Sequence, residues 1–273
     1  MTSINTNMGA MIALQNLSGT NRELSETQNR IATGLKVASA KDDGATFAIA
    51  QKMRRDVASF GVVTESLDRV RSTTDVALAA GEGISDLLVE MKEKALAASD
   101  ESIDSASRSA LNEDFKALRD QITTIVENAS FNGVNLVDGS SSNTTALASA
   151  NGSSTITVDS EDLTLSGSTI TVTASTEINS QSGAASIVSA LDSSIESVNN
   201  ALARLGTGSR KLEIHSEFVS KLSDSLRSGI GNLVDADLAQ ESARLQALQV
   251  QQQLGSQALS IANRAPSSIL AFF

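Results

Sequence analysis

Apolar residues recur along most of this chain in steps of three and four, the spacing that keeps one helix face apolar. From Met8 to Ala38 the row Leu17, Leu24, Ile31, Ala38 repeats every seven residues, and Leu14, Asn21, Gln28, Leu35 forms its companion. The pattern predicts a helix carrying a coiled-coil seam, with Asn and Gln at two seam positions that lower stability and fix register. Gly34 and the polar run Ser39–Gly44 break it, and Asp42 or Asp43 is placed to cap the next helix. That second helix is predicted from near Ala45. Its row Phe60, Val63, Leu67, Val70, Thr74, Ala77, Gly81, Ile84, Leu88, Met91, Ala95 runs without a slip. Such a helix has about 50 residues and a length of roughly 80 Å. A third carries Leu111, Phe115, Leu118, Ile122, Ile125 and Ala129. The short polar link at Ser99–Ser107 makes the second and third an antiparallel hairpin.

The period changes after Phe131-Asn132-Gly133, where Asn-Gly signals a tight turn. Ser and Thr supply 21 of the 43 residues from Ser140 to Ser182. Two near-copies, Ser154–Val158 and Ser168–Val172, alternate apolar and polar as half-buried strands do, and Leu163 and Leu165 alternate too. A small β-hairpin or meander is the reading here, with a low-complexity linker as the alternative.

Helix resumes near Ala184. Leu191, Ile195, Val198, Leu202 and Leu205 step by four and three; Leu212, Val219, Leu226 and Ile230 continue, until Gly229 and Gly231 interrupt. Leu233 to Phe273 then reads as one closing helix with Val234, Leu238, Leu245, Leu248, Leu259 and Ala262 on its apolar face. Asp235 and Asp237 suit its start. Pro266 closes it, before an apolar tail containing Ile269, Leu270, Phe272 and Phe273. The fold class is therefore mainly α: a long antiparallel helical bundle formed by both chain termini, with a small β-rich insert. Three regions are expected: 1–40 with 233–273, 41–138 with 184–232, and the insert 139–183.

Composition narrows the function. The chain of 273 residues has one Pro, no Trp, no Tyr and no Cys, so slender helix seams replace an aromatic core and no thiolate chemistry is available. Net charge is -11. No Lys or Arg lies between Arg119 and Arg204, a span with nine acidic residues. An acidic middle lacks the cations that nucleic acid requires. No apolar run approaches a membrane span. No basic segment followed by an apolar one opens the chain, so export by a cleaved signal is not expected.

Catalysis has no support. His215 is the only histidine and reads as a solvated or interface residue. Lys41-Asp42-Asp43 reads as a cap and turn, and Asp100, Glu101 and Asp104 as a polar loop. No carboxylate cluster suits a metal, and there is neither a phosphate loop nor a nucleophile elbow. No cofactor is expected. What remains is seam, so the chain reads as an assembly element whose imperfect ends order against copies of themselves.

With these residues in view, the chain resembles the bacterial flagellins. The resemblance rests on Ile4-Asn5-Thr6-Asn7, Arg30–Lys36, Ser39–Asp43 with Ala48-Ile49-Ala50, Phe131-Asn132-Gly133, Asp235-Ala236-Asp237, Gln249–Gln253 and Ala262–Pro266 with the apolar tail. It covers residues 1–138 and 184–273. It implies a subunit that polymerises with copies of itself into the extracellular flagellar filament of motile bacteria. Export would proceed unfolded through the flagellar type III apparatus. The implied partners are an export chaperone on the C-terminal helix, and the filament cap and hook-junction proteins. Neither nucleic acid nor membrane insertion is implied. Leu14, Leu17, Leu24, Ile31, Leu35, Leu238, Leu245, Leu248, Leu259, Ile269, Leu270, Phe272 and Phe273 are the expected assembly residues. Phe60, Val63, Leu67, Val70, Ile84, Leu88 and Met91 form the long-helix seam.

The chain departs from longer members in its short insert. It departs again in the segment that vertebrate Toll-like receptors recognise. There the family run is close to Leu-Gln-Arg-Val-Arg-Glu-Leu-Ala-Val-Gln, whereas this chain has Leu88–Ala97 with Glu90 in place of an Arg and Ala97 in place of a Gln. Poor receptor activation is the expectation. Two alternatives stand beside the filament subunit: a hook-filament junction protein, and a cytoplasmic coiled-coil adaptor that stays dimeric.

Overall fold

The computed structural model describes residues 6–140 and 143–264. Five helices occupy them: α1 Met8–Thr33, α2 Gly44–Ala98, α3 Ser105–Asn128, α4 Gln181–Val234 and α5 Leu238–Arg264. Two short antiparallel hairpins lie between α3 and α4: β1 Ser130–Phe131 with β2 Val134–Asn135, and β3 Thr144–Leu147 with β4 Thr155–Val158. The mainly helical class with a small β insert follows from the 3-4 periodicity giving way to Ser/Thr-rich alternation. The chain forms two compact units, Met1–Arg55 with Ser225–Phe273, and Asp56–Asp224. The division falls inside α2 and α4.

In the first unit, α1 and α5 pair antiparallel. Asn7 caps α1 by accepting from the Ala10 amide, and Gly34 ends it at φ 71, with its N–H on the Arg30 carbonyl at 2.8 Å. The helix thus stops short of Ala38, because the left-handed turn that glycine permits outranks a heptad row running past it. Leu35 leaves the helical seam and instead forms an antiparallel bridge to Asp235. The closing helix begins later than its periodicity predicts, at Leu238 rather than Leu233. Gly229 and Gly231 lie within α4, and Leu233 and Val234 are its last residues, not the first of α5. The cause is tertiary: the Val234 carbonyl accepts from the amides of Lys36 at 2.7 Å and Val37 at 3.2 Å, and the Ala236 amide donates to Gly34. These bonds satisfy groups that a helix end leaves open. Asp237 then caps α5, accepting from the amides of Ala239 and Gln240. Val37, Ala50 and Val234 are buried together under Leu35, Phe47, Ile230 and Leu233.

The second unit is a bundle of the α2, α3 and α4 segments. Along α2 and α4, Asp75 meets Ser209, Ser85 meets Asn199, and Lys92 meets Asp192 at 2.5 Å, an antiparallel register. Leu202 sits so tightly over Gly81 that a Cβ there would fall 2.6 Å from its Cδ2. Lys94 pairs with Asp114 of α3 at 2.7 Å. Asp43 caps α2 through the amides of Ala45 and Thr46, while Asp42 closes the turn before it through Ala38 and Ser39. Asp104 caps α3.

The insert packs onto this bundle. The β1–β2 turn places Asn132 at φ 50 and Gly133 at φ 78, both in the left-handed region that a two-residue hairpin requires. Asn135, buried, donates to the Val126 carbonyl and accepts from the Val137 amide. The strand expected at Ser154–Val158 forms, as β4. Its near-copy Ser168–Val172 does not: it has one bridge, Leu165 to Ile170, and no ladder. Ile170 and Val172 are buried all the same, and Thr171 is held on α4, its amide donating to the Ser194 hydroxyl. Alternate burial against a helix satisfies the same pattern as a strand.

Candidate assembly interface

The apolar rows fall into two groups. Val63, Leu67, Val70, Ile84, Leu88 and Met91 are buried in the second unit, with Phe60 partly buried against them. They form that unit's own core. On the first unit, Leu17, Leu24 and Ile31 of α1 are half-buried, as are Leu245 and Leu259 of α5, and Leu248 is buried. Leu14 and Leu238 are exposed, at 58% and 49%. Ile269, Leu270, Phe272 and Phe273, with Pro266, lie outside the described residues.

Polar contacts set how α1 and α5 align. Gln252 donates to Asn21 at 2.7 Å, Asn7 donates to the Ala262 carbonyl at 2.7 Å, and Arg244 meets Glu23 at 3.5 Å. Gln28, the other polar residue of the α1 row, is exposed. Gly255 brings the two backbones close, since a Cβ there would lie 3.2 Å from Leu17 Cδ1. Near the α5 start, Arg30 donates to Glu241 Oε1 at 3.2 Å. The second oxygen of Glu241 is buried with no partner among the described residues. A buried acceptor left unpaired costs about 1–3 kcal/mol.

Burial in this pair is thin. Within the helices only Thr27 of α1 and Glu241 and Leu248 of α5 are buried. The opposite faces are apolar and open: Met8, Met11 and Ile12 on α1, and Val250, Leu254 and Ile261 on α5, the last at 71% exposure. The heptad rows chosen from sequence omit this outer stripe. Its signal was nonetheless present, because Ala243, Ala247, Val250, Leu254 and Ile261 step by 4, 3, 4 and 7. Apolar side chains repeated at that spacing leave an open apolar stripe along the solvent-facing surface of α5.

Glu90 and Ala97 are both exposed on α2 and, seven residues apart, share one face. His215 holds the insert: its Nε2 lies 2.8 Å from the Ala148 carbonyl and its ring lies beside Phe218. Glu161, buried, accepts two bonds of 2.6 Å from Arg204. Among the described residues no cluster of three potential metal ligands occurs, and no helix is long and apolar enough to cross a membrane.

Two family models match the chain. The bacterial flagellin N-terminal helical region covers residues 4–142, and the C-terminal helical region covers 188–273. Flagellin FljK of Caulobacter vibrioides is 54% identical over 273 residues, 100% of this chain and 99% of the relative. The flagellin of Brucella melitensis is 34% identical over 282 aligned residues, covering 100% and 99%. Among solved structures, a flagellar hook-associated protein from Vibrio parahaemolyticus aligns at TM-score 0.59 and 14% identity over 71% of this chain and 100% of its own, a likeness of fold. Both family models, at the two helical ends where the seams lie, and full-length identity to named flagellins lead to one conclusion: this chain belongs to the bacterial flagellin family and is a structural subunit of the flagellar filament, not an enzyme.

Proposed function

We propose that α1 and α5 are the segments through which subunits hold one another in the filament, with the residues 265–273 extending that contact. The observation that carries this reading is the open apolar stripe Val250, Leu254, Ile261, on the α5 face turned away from α1. The α1–α5 pair buries little and carries an orphaned carboxylate oxygen, so it is marginal alone and gains by association. Marginality also suits a chain that leaves the cell unfolded through the flagellar type III apparatus. Before export, a chaperone covers α5, shielding the stripe from premature association. In the assembled state the subunit is extracellular and meets the cap at the growing tip and the junction proteins at the base. On this reading the short insert makes a thin outer surface, and the Glu90 face of α2 makes a poor receptor ligand.

A single cysteine tests the interface, because the native chain has none. Leu254→Cys labels rapidly with a maleimide in the monomer and at least about tenfold more slowly in filaments, as burial of an apolar contact requires. Equal labelling in both states contradicts the assignment.

A further inference from the structure

The loop joining β3 to β4 holds a chemical feature that assembly does not use. Asn151 is followed by Gly152, and both are exposed. The Asn151 side-chain oxygen accepts three hydrogen bonds: from the Ser149 hydroxyl at 2.8 Å, the Ser153 hydroxyl at 2.8 Å and the Ser153 amide at 3.2 Å. Such donors stabilise negative charge that develops on a carbonyl oxygen when its carbon is attacked. A nucleophile lies next in the chain. The Gly152 nitrogen has no neighbouring Cβ of its own residue to shield it.

From this geometry we infer that Asn151 is a self-modifying site, where the outer insert deamidates ahead of the other Asn-Gly pair of the chain. The Gly152 nitrogen bonds to the Asn151 Cγ and loses its proton to water. The Cγ–Nδ2 bond breaks and the side-chain nitrogen leaves as ammonia, giving a five-membered succinimide. Water then opens either carbonyl of the ring. One opening yields an aspartate in the normal linkage at this position, the other an isoaspartyl linkage through the side chain. The net change consumes one water and releases one ammonia, so no oxidant, reductant or further reactant is needed. The Gly152 amide is bonded to the Ser149 carbonyl at 3.0 Å and must leave it first; exposure of the loop lets water take its place.

Asn132-Gly133 is the built-in comparison. Its side-chain amide receives no hydrogen bond among the described residues. Asn132 and Gly133 are the two central residues of a tight turn between paired strands, so closing the ring, which fixes the Asn ψ, has to break that hairpin. Asn151 and Gly152, the latter also at φ 70, lie instead in the longer loop between Leu147 and Thr155. Modification at Asn151 adds one negative charge per subunit to the insert. In the isoaspartyl product it also adds a backbone carbon to the loop that the Leu147–Thr155 pair and the Ala148–Ser154 hydrogen bond close.

The test uses the full-length protein incubated at mildly alkaline pH and 37 °C, followed by peptide mapping and isoaspartate detection. Asn151 is expected to convert several-fold faster than Asn132. The Ser149→Ala/Ser153→Ala variant, checked as folded by circular dichroism, is expected to lower the Asn151 rate by about tenfold, since two of three donors are gone. Conversion at Asn132 as fast as at Asn151 would overturn the inference. So would a double variant that converts at the wild-type rate or faster. The first comparison needs no variant and stands whatever the substitutions do to the loop.

Discussion

The side-chain amide of Gln252 donates to the Asn21 oxygen across the α1–α5 pair at 2.7 Å, so a polar residue interrupting one seam meets a polar residue interrupting the other. Matching polar groups favour one alignment over those shifted by a heptad, where each would face an apolar neighbour. The register can be read directly. A Cβ at Gly255 would lie 3.8 Å from the Leu17 Cβ, the usual spacing across a disulfide, about 3.8 Å. The Leu17→Cys/Gly255→Cys variant is expected to cross-link readily on oxidation. Adding Asn21→Leu and Gln252→Leu should cut the yield, since apolar seams tolerate slipped alignments. An unchanged yield, seen by mobility on non-reducing gels, would remove the register role.

Arg30 is the only group neutralising the buried Glu241 carboxylate among the described contacts. Arg30→Ala leaves that charge uncompensated and is expected to destabilise the pair by about 3 kcal/mol, whereas Arg30→Met with Glu241→Leu recovers the loss. Heat depolymerisation of filaments made from each variant measures it: the single variant comes apart at lower temperature and the double variant does not.

Asp162 organises the insert. Gly139 and Gly167 leave room for its carboxylate, and a Cβ at either would come within 2.8 Å or 2.6 Å of it. Burial raises its pKa, but the Thr164 hydroxyl and amide and the Ser168 amide together outweigh burial and hold the carboxyl below its ordinary value. A depressed folded-state pKa contributes stability that is present above the ordinary value of 3.8 and is lost as pH falls through the folded-state value. Hydrogen exchange at the Thr164 and Ser168 amides should therefore speed up as pH drops below that value, after correction for intrinsic rates. Asp162→Asn should exchange fast throughout and show no such step.

The exposed Glu90 and Ala97 predict weak signalling through the vertebrate Toll-like receptor. Reversing a charge at a recognition face costs more than neutral substitution. Glu90→Arg with Ala97→Gln is expected to raise reporter-cell activation by purified monomer. Strong activation by the unaltered chain at low concentration would refute the reading.

Much of this fold was legible because single patterns went unopposed. The α2 row from Val63 to Ala95 never slips, and nothing in its sequence offers an alternative. Asn132-Gly133 announced its turn because few residue pairs accept two positive φ values. Where two signals competed, the periodic one misled. Ala38 kept the α1 heptad going past Gly34, and Leu233 and Val234 fitted the closing helix as well as the one before it. Contacts remote in sequence place that break: the Lys36 and Val37 amides on the Val234 carbonyl and the Ala236 amide on Gly34. The outer α5 stripe is hard to read for a different reason: beside the seam of Leu245, Leu248 and Leu259, the smaller Ala243 and Ala247 make the second row resemble filler.

If the helical ends hold filaments together while the second unit folds without them, truncation separates the two properties. Deleting Leu254 to Phe273 and offering the product to filament seeds beside the intact chain tests this most directly. Intact subunits should elongate the seeds. Truncated subunits should not, while keeping the helical circular dichroism and melting transition of the Asp56–Asp224 unit. Normal elongation by truncated subunits would show that filaments hold together without this end of α5.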